Sequence, residues 1–421
     1  MANTYLTRTF GTGDRRKFTL SFWMKKTSNS QTSTLFGAST DMLYLNSDKL
    51  QFEGAGGTLK TSRVFRDVSA FYHCVIAFDS AQATASDRIK IYVNGVQESV
   101  FDTSTYPTQN TETNNLNTGV AHVIGKRPTA SDMYFDGLLS HFHFCDGYAY
   151  QASDFGSTDS VTGEWKINTS PSVTYGTNGF FILKDGNSVT DQSGNSNNFT
   201  VGGGTLTNTE DCPSNVFATL NGIHVGGGDS TLSNGNTTYS LSNYSYNTRS
   251  TLGMPSGKFY WEQKQSDTST RIGLITSGFT IDLDTDNANA YYGGSGGGGV
   301  YLLLSNNSTS WQLTNNNTSR SVTTYTNAIA SSANDILMGA VDVDAGKLWI
   351  GVNGTWFNSG NPATAATPTL TFTNSSGDDL QIYAGHGTDS ARVSSFNFGN
   401  GYFGTTAISS EGTNASGIGK F

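Results

Sequence analysis

Cysteine is scarce: Cys74, Cys145 and Cys212 are the three in 421 residues. Three cannot all pair within one chain, none forms Cys-x-x-Cys, and the contexts are apolar (HCVIAF, FHFCDG). That pattern excludes a disulfide framework or a zinc cage and predicts buried free thiols in a protein made in a reducing cytosol. Charge is also thin, at 14% of residues against the usual ~25%. The balance of 24 Lys+Arg against 33 Asp+Glu leaves −9, with no basic cluster to neutralise phosphates, so nucleic acid is not expected as a partner. No apolar run approaches the ~18–20 residues that span a bilayer, so no membrane insertion is expected. The opening MANTYLTRTFGTGDRRKF lacks the cationic start, apolar stretch and cleavage site of a secretion signal. Helical periodicity is nearly missing: only Ala149–Phe155 offers a turn, with Ser153 as its cap. The one Gly-x-Ser-x-Gly spacing, Gly293–Gly297, falls inside the glycine run 293–299, which is too glycine-dense for a nucleophile elbow and lacks the Lys-Ser/Thr ending of a phosphate loop.

What is abundant is glycine (49) together with 25 Phe, 19 Tyr and 6 Trp. The aromatics are enough to fill sizeable cores. The dominant period is two. Phe18, Leu20 and Phe22 alternate with Thr19, Ser21 and Trp23; Cys74, Ile76 and Phe78 with His73, Val75 and Ala77; Leu138, Phe142 and Phe144 with Leu139, His141 and His143. Later, Phe259 and Trp261 alternate with Tyr260 and Glu262, and Leu348, Ile350 and Val352 with Lys347, Trp349 and Gly351. Asn94-Gly95, Asp136-Gly137, Asp146-Gly147 and Asn353-Gly354 mark turns between the runs. The pattern predicts an all-β chain of antiparallel sandwiches with long polar loops and almost no helix. An internal echo divides it: ASDRIKIYVNG (85–95) recurs as DAGKLWIGVNG (344–354), each after an alternating run ending near an aspartate, Asp79 or Asp344. Two related sandwiches follow, 1–210 and 211–421, joined through the polar stretch 202–214.

The first half resembles the laminin G-like branch of the concanavalin A-like lectin/glucanase superfamily. FTLSFWMKK (18–26), FYHCVIAFD (71–79), RIKIYVNGV (88–96) and MYFDGLLSHFHFCDGYAYQASDF (133–155) carry the resemblance. GFFILKDGNSVTDQSGNSNNFTVGG (179–203) resembles a segment that opens such domains, so it either starts the second unit or wraps back onto the first sheet. The second half resembles a SPRY-like domain through SGKFYWEQK (256–264), RIGLI (271–275) and DVDAGKLWIGVNGTWFNSGNP (342–362). The order of these segments, with DCPSNVFATLNG (211–222), is similar to structural proteins of tailed bacteriophages, marine ones especially. The resemblance implies two tandem concanavalin A-like (jelly-roll type) sandwiches in a virion surface protein, synthesised in the host cytoplasm. Its implied partners are other virion proteins and a host-surface glycan, and fibre analogy implies a homo-oligomer, a trimer being favoured. Without heptads, such an oligomer would form through sandwich faces or edges.

Glucanases of this superfamily need two carboxylates on one strand face. The seven glutamates are spread so that no two lie within ten residues, and Glu262 has no partner carboxylate nearby in sequence, so a non-enzymatic protein is expected. Adjacent His73 and Cys74 face opposite sides of a strand and form no catalytic pair. His141 and His143 share one strand face but lack a third ligand, which reads as the polar side of an amphipathic strand. Asp282, Asp284 and Asp286 begin like a calcium loop, but Gly293 stands where a bidentate Glu is required; no cofactor is expected, calcium through another loop being the open alternative. Tyr291 and Tyr292 beside the glycine run, and Trp311 in SNNSTSWQLTNNN, are the aromatics in loop-like sequence and the expected glycan contacts. Trp261 and Trp349 lie in strand patterns and are expected to pack cores. The leading expectation is a tail fibre or surface spike that recognises carbohydrate; the alternatives are a capsid-decorating or adaptor protein without a ligand and, less so, a polysaccharide hydrolase.

Overall fold

The computed structural model describes residues 3–184, 189–223, 225, 230–242, 247–267, 271–277, 329, 331–373, 377–385, 391–409, 411–412 and 419–421, and the backbone of the strands 302–306, 311–315 and 321–325. The chain divides into two compact units, Met1–Val216 and Phe217–Phe421.

In the first unit the strands are β1 (Tyr5–Thr9), β2 (Lys17–Lys26), β3 (Ser33–Ala38), β4 (Asp41–Asn46), β5 (Lys49–Gly54), β6 (Gly57–Thr61), β7 (Tyr72–Asp79), β8 (Ile89–Val93), β9 (Val96–Gln97), β10 (Phe101–Thr105), β11 (Ala121–Ile124), β12 (Gly137–Asp146), β13 (Gly156–Thr158), β14 (Trp165–Ile167), β15 (Phe180–Ile182) and β16 (Thr200–Gly203). They build one sheet in the order β10-β6-β5-β4-β3-β11-β1-β16 and another in the order β15-β12-β2-β7-β8-β9. Segment 179–203 therefore belongs to the first unit: its two ends supply β15 and β16. The expected alternation holds along β2, whose Phe18, Leu20 and Phe22 enter a core rich in phenylalanine. Phe18 stacks on Phe78 at 4.9 Å and Phe22 on Phe142 at 5.0 Å. The opposite row, Thr19, Ser21 and Trp23, which alternation alone would leave on a mixed, half-exposed face, is also buried. The chain after β12 folds back over it, so that Val75, Ala77, Tyr92 and Cys145 pack with Ala152, Phe155, Trp165 and Tyr175 as a second, smaller core.

Three details depart from the sequence pattern. His141 has φ 46° and the β2–β12 register shifts between Ser140 and His143. This bulge changes the phase, so Leu139 rather than Leu138 packs on the core that holds Phe142 and Phe144. The turn near Phe155 is a 3-10 turn, Ala152–Asp154, closed by the Gln151 amide donating to Asp154 at 2.7 Å, so Ser153 is not its cap. Residues 211–216 stay with the first unit, where Asp211 is held by buried Lys25 at 2.9 Å, so the compact unit ends six residues beyond position 210.

The second unit contains β17 (Ser230–Ser233), β18 (Thr238–Leu241), β19 (Asn247–Arg249), β20 (Lys258–Gln265), β21 (Arg271–Thr276), β22 (Leu302–Asn306), β23 (Trp311–Asn315), β24 (Ser321–Tyr325), β25 (Ile336–Asp342), β26 (Lys347–Val352), β27 (Thr355–Trp356), β28 (Leu370–Thr371), β29 (Leu380–Gly385) and β30 (Arg392–Asn397). Its sheets run β17-β18-β30-β20-β25-β26-β27 and β19-β29-β21-β22-β23-β24. Strand by strand, β18-β30-β20-β25-β26-β27 repeats β15-β12-β2-β7-β8-β9, and β24-β23-β22-β21-β29-β19 repeats β6-β5-β4-β3-β11-β1. The sequence echo is thus the visible part of a repeated fold. Asn94-Gly95 and Asn353-Gly354 make the same turn, with φ 46° and 82° in one and 47° and 84° in the other. Each asparagine amide donates to a carbonyl of the preceding strand, His73 or Ile336, at 2.9 Å. Each Asn Oδ1 accepts that residue's N–H, at 2.8 and 2.9 Å. Register equates Asp79 with Asp342 rather than with Asp344: Lys17 pairs with Asp79 at 3.2 Å and Lys258 with Asp342 at 3.7 Å. Asp344 instead accepts the Gly257 amide. Trp261 and Trp349 are fully buried, as packing residues should be.

Candidate functional site

Of the sequence-predicted contacts, Tyr291 and Tyr292 lie outside the described residues, as do Asp282, Asp284 and Asp286. Trp311 opens strand β23, so it is a strand residue and not part of a loop.

The buried polar groups of the first unit are engaged in its own fold. Ser21 Oγ lies 2.9 Å from His73 Nε2, a spacing that would suit a nucleophile and its base. Both are buried, and His73 Nδ1 accepts the Trp165 indole N–H at 3.0 Å. Among the described residues no carboxylate orients this ring, and burial pulls its pKa down to about 3, so it is a neutral packing histidine. His141 and His143 do not form the solvated face expected of them; both are buried. His143 stacks on Phe181 at 3.9 Å and meets the Tyr175 hydroxyl at 2.9 Å, while Ser140 Oγ lies 2.8 Å from His141 Nδ1. Burial drives the His143 pKa well below its ordinary value. Cys74 and Cys145 are buried thiols whose pKa values burial raises; Cys212 is partly exposed, unlike the expected buried thiol. Asp191, in the loop DQSGNSNN, accepts the N–H groups of Phe181, Ser193 and Asn197 and the Ser193 hydroxyl. Among the described residues, no three His, Cys, Asp or Glu side chains gather as a metal set.

In the second unit Glu262 is buried on β20, and burial raises its pKa. Its oxygens accept from the Tyr260 hydroxyl at 2.9 Å and the Asn397 amide at 3.1 Å. Its hydrogen-bonding partners are thus neutral groups rather than the second carboxylate of a glycosidase pair.

A different arrangement arises on the outer face of the β3–β6 part of the larger first-unit sheet. Hairpin β4–β5 turns through Ser47 and Asp48, both at positive φ (52° and 62°). Its register pairs Leu43 with Phe52 and Leu45 with Leu50 on the core side. Tyr44, Gln51 and Glu53 consequently stand on the other side, with Thr34 directly across from Tyr44. The Tyr44 hydroxyl donates to Glu53 Oε1 at 2.8 Å, the Gln51 amide donates to the same oxygen, and the Asn46 amide donates to Gln51 Oε1 at 2.8 Å. Glu53 Oε2 makes no hydrogen bond among the described residues. Burial raises the Tyr44 pKa, and the Glu53 carboxylate raises it further. The loop after β11 folds over one end of this face: Met133 O accepts the Thr34 amide at 2.8 Å. Arg127 is held there by Asp132 at 3.0 Å and by the Met133 sulfur at 2.7 Å. The buried Thr34 hydroxyl has no hydrogen-bond partner among the described residues. In this chain Tyr44 and Gln51 are buried and hold Glu53 and Asn46, which are partly exposed; a carboxylate oxygen and a side-chain amide fixed in this way are an acceptor and a donor of the kind that bind hydroxyl-bearing ligands. The sequence signal was DMLYLNSDKLQFEG, whose period-two pattern on both sides of Ser47-Asp48 places these residues on one face.

Comparison with a known family agrees with the architecture of the first unit. Residues 2–153 match a laminin G-type family model described as the concanavalin A-like lectin/glucanases superfamily. The match gives residues 2–153 a concanavalin A-like fold, and the described chain as a whole is all-β and built of antiparallel sheets. Among solved structures, the SPRY domain of human HERC1 is 12% identical, with a TM-score of 0.30, covering 42% of this chain and 96% of its own. A two-domain fragment of the mouse laminin alpha1 chain (domains LG4-5) is 10% identical with a TM-score of 0.29, covering 97% of this chain and 93% of its own. A heptameric SAP-like pentraxin of Limulus polyphemus is 16% identical with a TM-score of 0.27, covering 36% of this chain and 72% of its own. No curated protein sequence matches this chain.

Proposed function

We propose that this is a non-catalytic, carbohydrate-binding virion surface protein, a tail fibre or spike, that uses the β3–β6 face of its first sandwich. The observation that carries the binding reading is an asymmetry within that sandwich. The outer face of the β2–β7 sheet is closed by the segment after β12. The outer face of β3–β6 instead holds the Tyr44–Glu53–Gln51–Asn46 chain with Glu53 Oε2 unengaged. The partly exposed Glu53 carboxylate and Asn46 amide, held from beneath by buried Tyr44 and Gln51, match the hydroxyls of a sugar. The order of sequence segments, similar to structural proteins of tailed bacteriophages, supports the virion role. Single contacts of this size are weak, so repeated copies in a homo-oligomer, a trimer by analogy, would supply avidity.

The test is a glycan array probed with the full chain, followed by titration of the strongest glycan against Glu53→Gln and Tyr44→Phe. Binding that weakens at least about tenfold in Glu53→Gln, a change of about 1.4 kcal/mol, supports the reading. An array that stays silent while the chain binds capsid shells would favour decoration without a ligand. Release of reducing sugar from a polysaccharide would replace binding by hydrolysis.

A further inference from the structure

Among the described residues, Tyr148 and Phe259 are the two exposed aromatics, Tyr148 at 41%. Tyr148 is not a loose surface side chain. Its ring lies 5.7 Å from that of Tyr150 at 14°, an offset parallel pair. Tyr150 is fixed on its other side, edge-on to buried Phe155 at 6.2 Å, and its hydroxyl accepts the Thr174 amide at 2.8 Å. The backbone under the pair is tied to one buried side chain: the Thr19 hydroxyl donates to Tyr148 O at 2.7 Å and accepts the Tyr150 amide at 2.8 Å. The Tyr148 hydroxyl itself has no hydrogen-bond partner among the described residues.

We infer that Tyr148 and Tyr150 form a preorganised stacking platform for a single pyranose ring, a second saccharide contact separate from the β3–β6 face. A ring held rigid before binding loses little freedom when it is covered, which favours association. The apolar C–H face of a pyranose matches an exposed tyrosine ring, and the free hydroxyl can bond a sugar hydroxyl. One exposed aromatic is far smaller than the roughly 800 Å² per partner of a standard protein interface, which favours a sugar ring over a protein. Sequence reading passed over Tyr148 because it sits among CDGYAYQ, next to a strand and without a surrounding polar tract. The inference rests on the saccharide-binding role proposed above but assigns a different surface.

The experiment titrates the full chain with cellohexaose, maltohexaose and laminarihexaose, comparing wild type with Tyr148→Ala, Tyr148→Phe and Glu53→Gln. The platform requires Tyr148→Ala to weaken binding by about tenfold or more while Tyr148→Phe stays within about threefold, because the ring and not the hydroxyl supplies most of the contact. An unchanged thermal midpoint in Tyr148→Ala shows that the loss is not unfolding. Full-strength binding by Tyr148→Ala, with loss in Glu53→Gln, overturns the platform alone. Equal losses in the Ala and Phe variants overturn stacking as its basis. Self-association that falls in Tyr148→Ala without any change in sugar binding reassigns the surface to protein contact. No binding of any probe by wild type removes the saccharide role together with the platform.

Discussion

The repeated Asn-Gly turn offers a controlled perturbation, because the same backbone is placed in two surroundings. Gly95 and Gly354 have φ of 82° and 84°. A Cβ built on Gly354 meets nothing within 4 Å, whereas one built on Gly95 falls 2.4 Å from the Trp165 ring. Gly354→Ala therefore carries only the strain of an L-residue in the left-handed region, about 1–2 kcal/mol. Gly95→Ala carries the same strain and must also push the indole aside. That shift breaks the 3.0 Å hydrogen bond from Trp165 Nε1 to buried His73 Nδ1, leaving a buried acceptor unsatisfied at about 1–3 kcal/mol. The predicted difference between the two variants is thus about 1–3 kcal/mol. Urea titration followed by tryptophan fluorescence, with scanning calorimetry, reads it, at about 2–4 °C in midpoint per kcal/mol for units of this size. Equal destabilisation by the two substitutions would refute the assignment of Trp165 as the clasp over the outer face of β7–β8.

Acid should loosen the first unit through its buried histidines. His73 titrates at about 3 in the folded chain against 6.5 unfolded, and His122 at about 4, both lowered chiefly by burial. Because the unfolded chain takes up the proton first, stability is intact above pH 6.5 and falls as the pH drops towards the folded values. Between about pH 7 and about pH 4.5 the His73 share is on the order of 2.5 kcal/mol, and His73→Gln should remove that share; an unchanged pH slope in urea titrations would contradict it. Lys26→Met should cost about 3–5 kcal/mol, since it strands Asp48 next to a fully buried position; denaturant midpoints check this. A thiol reagent should label Cys212 in the native chain and reach Cys74 and Cys145 only after unfolding, because those two are buried.

Much of the architecture could be read from the sequence because period two and the turn dipeptides act locally. The Phe18–Phe22 row, the Asn-Gly hairpins and the Lys347–Val352 strand follow from residues within a few positions of each other. What escaped depends on distant chain. The outer row of β2 reads as half-exposed, and only the arrival of Phe155 and Trp165 buries it. The bulge at His141 changes the strand's phase without a glycine to announce it. The Asp79–Asp342 equivalence is hidden by a loop four residues shorter in the second unit and emerges only from register. The polar chain of the candidate site was missed for a related reason: Tyr44 and Glu53 are nine residues apart and meet across a hairpin whose turn, Ser47-Asp48, is a weaker signal than Asn-Gly.

The most direct measurement of the central claim is hydrogen exchange of the full chain with and without a saturating glycan selected from the array. Added protection across residues 41–54, on β4 and β5, is the predicted result. Protection confined to the second unit, with 41–54 exchanging as in the free protein, would contradict the assignment of the β3–β6 face as the binding surface.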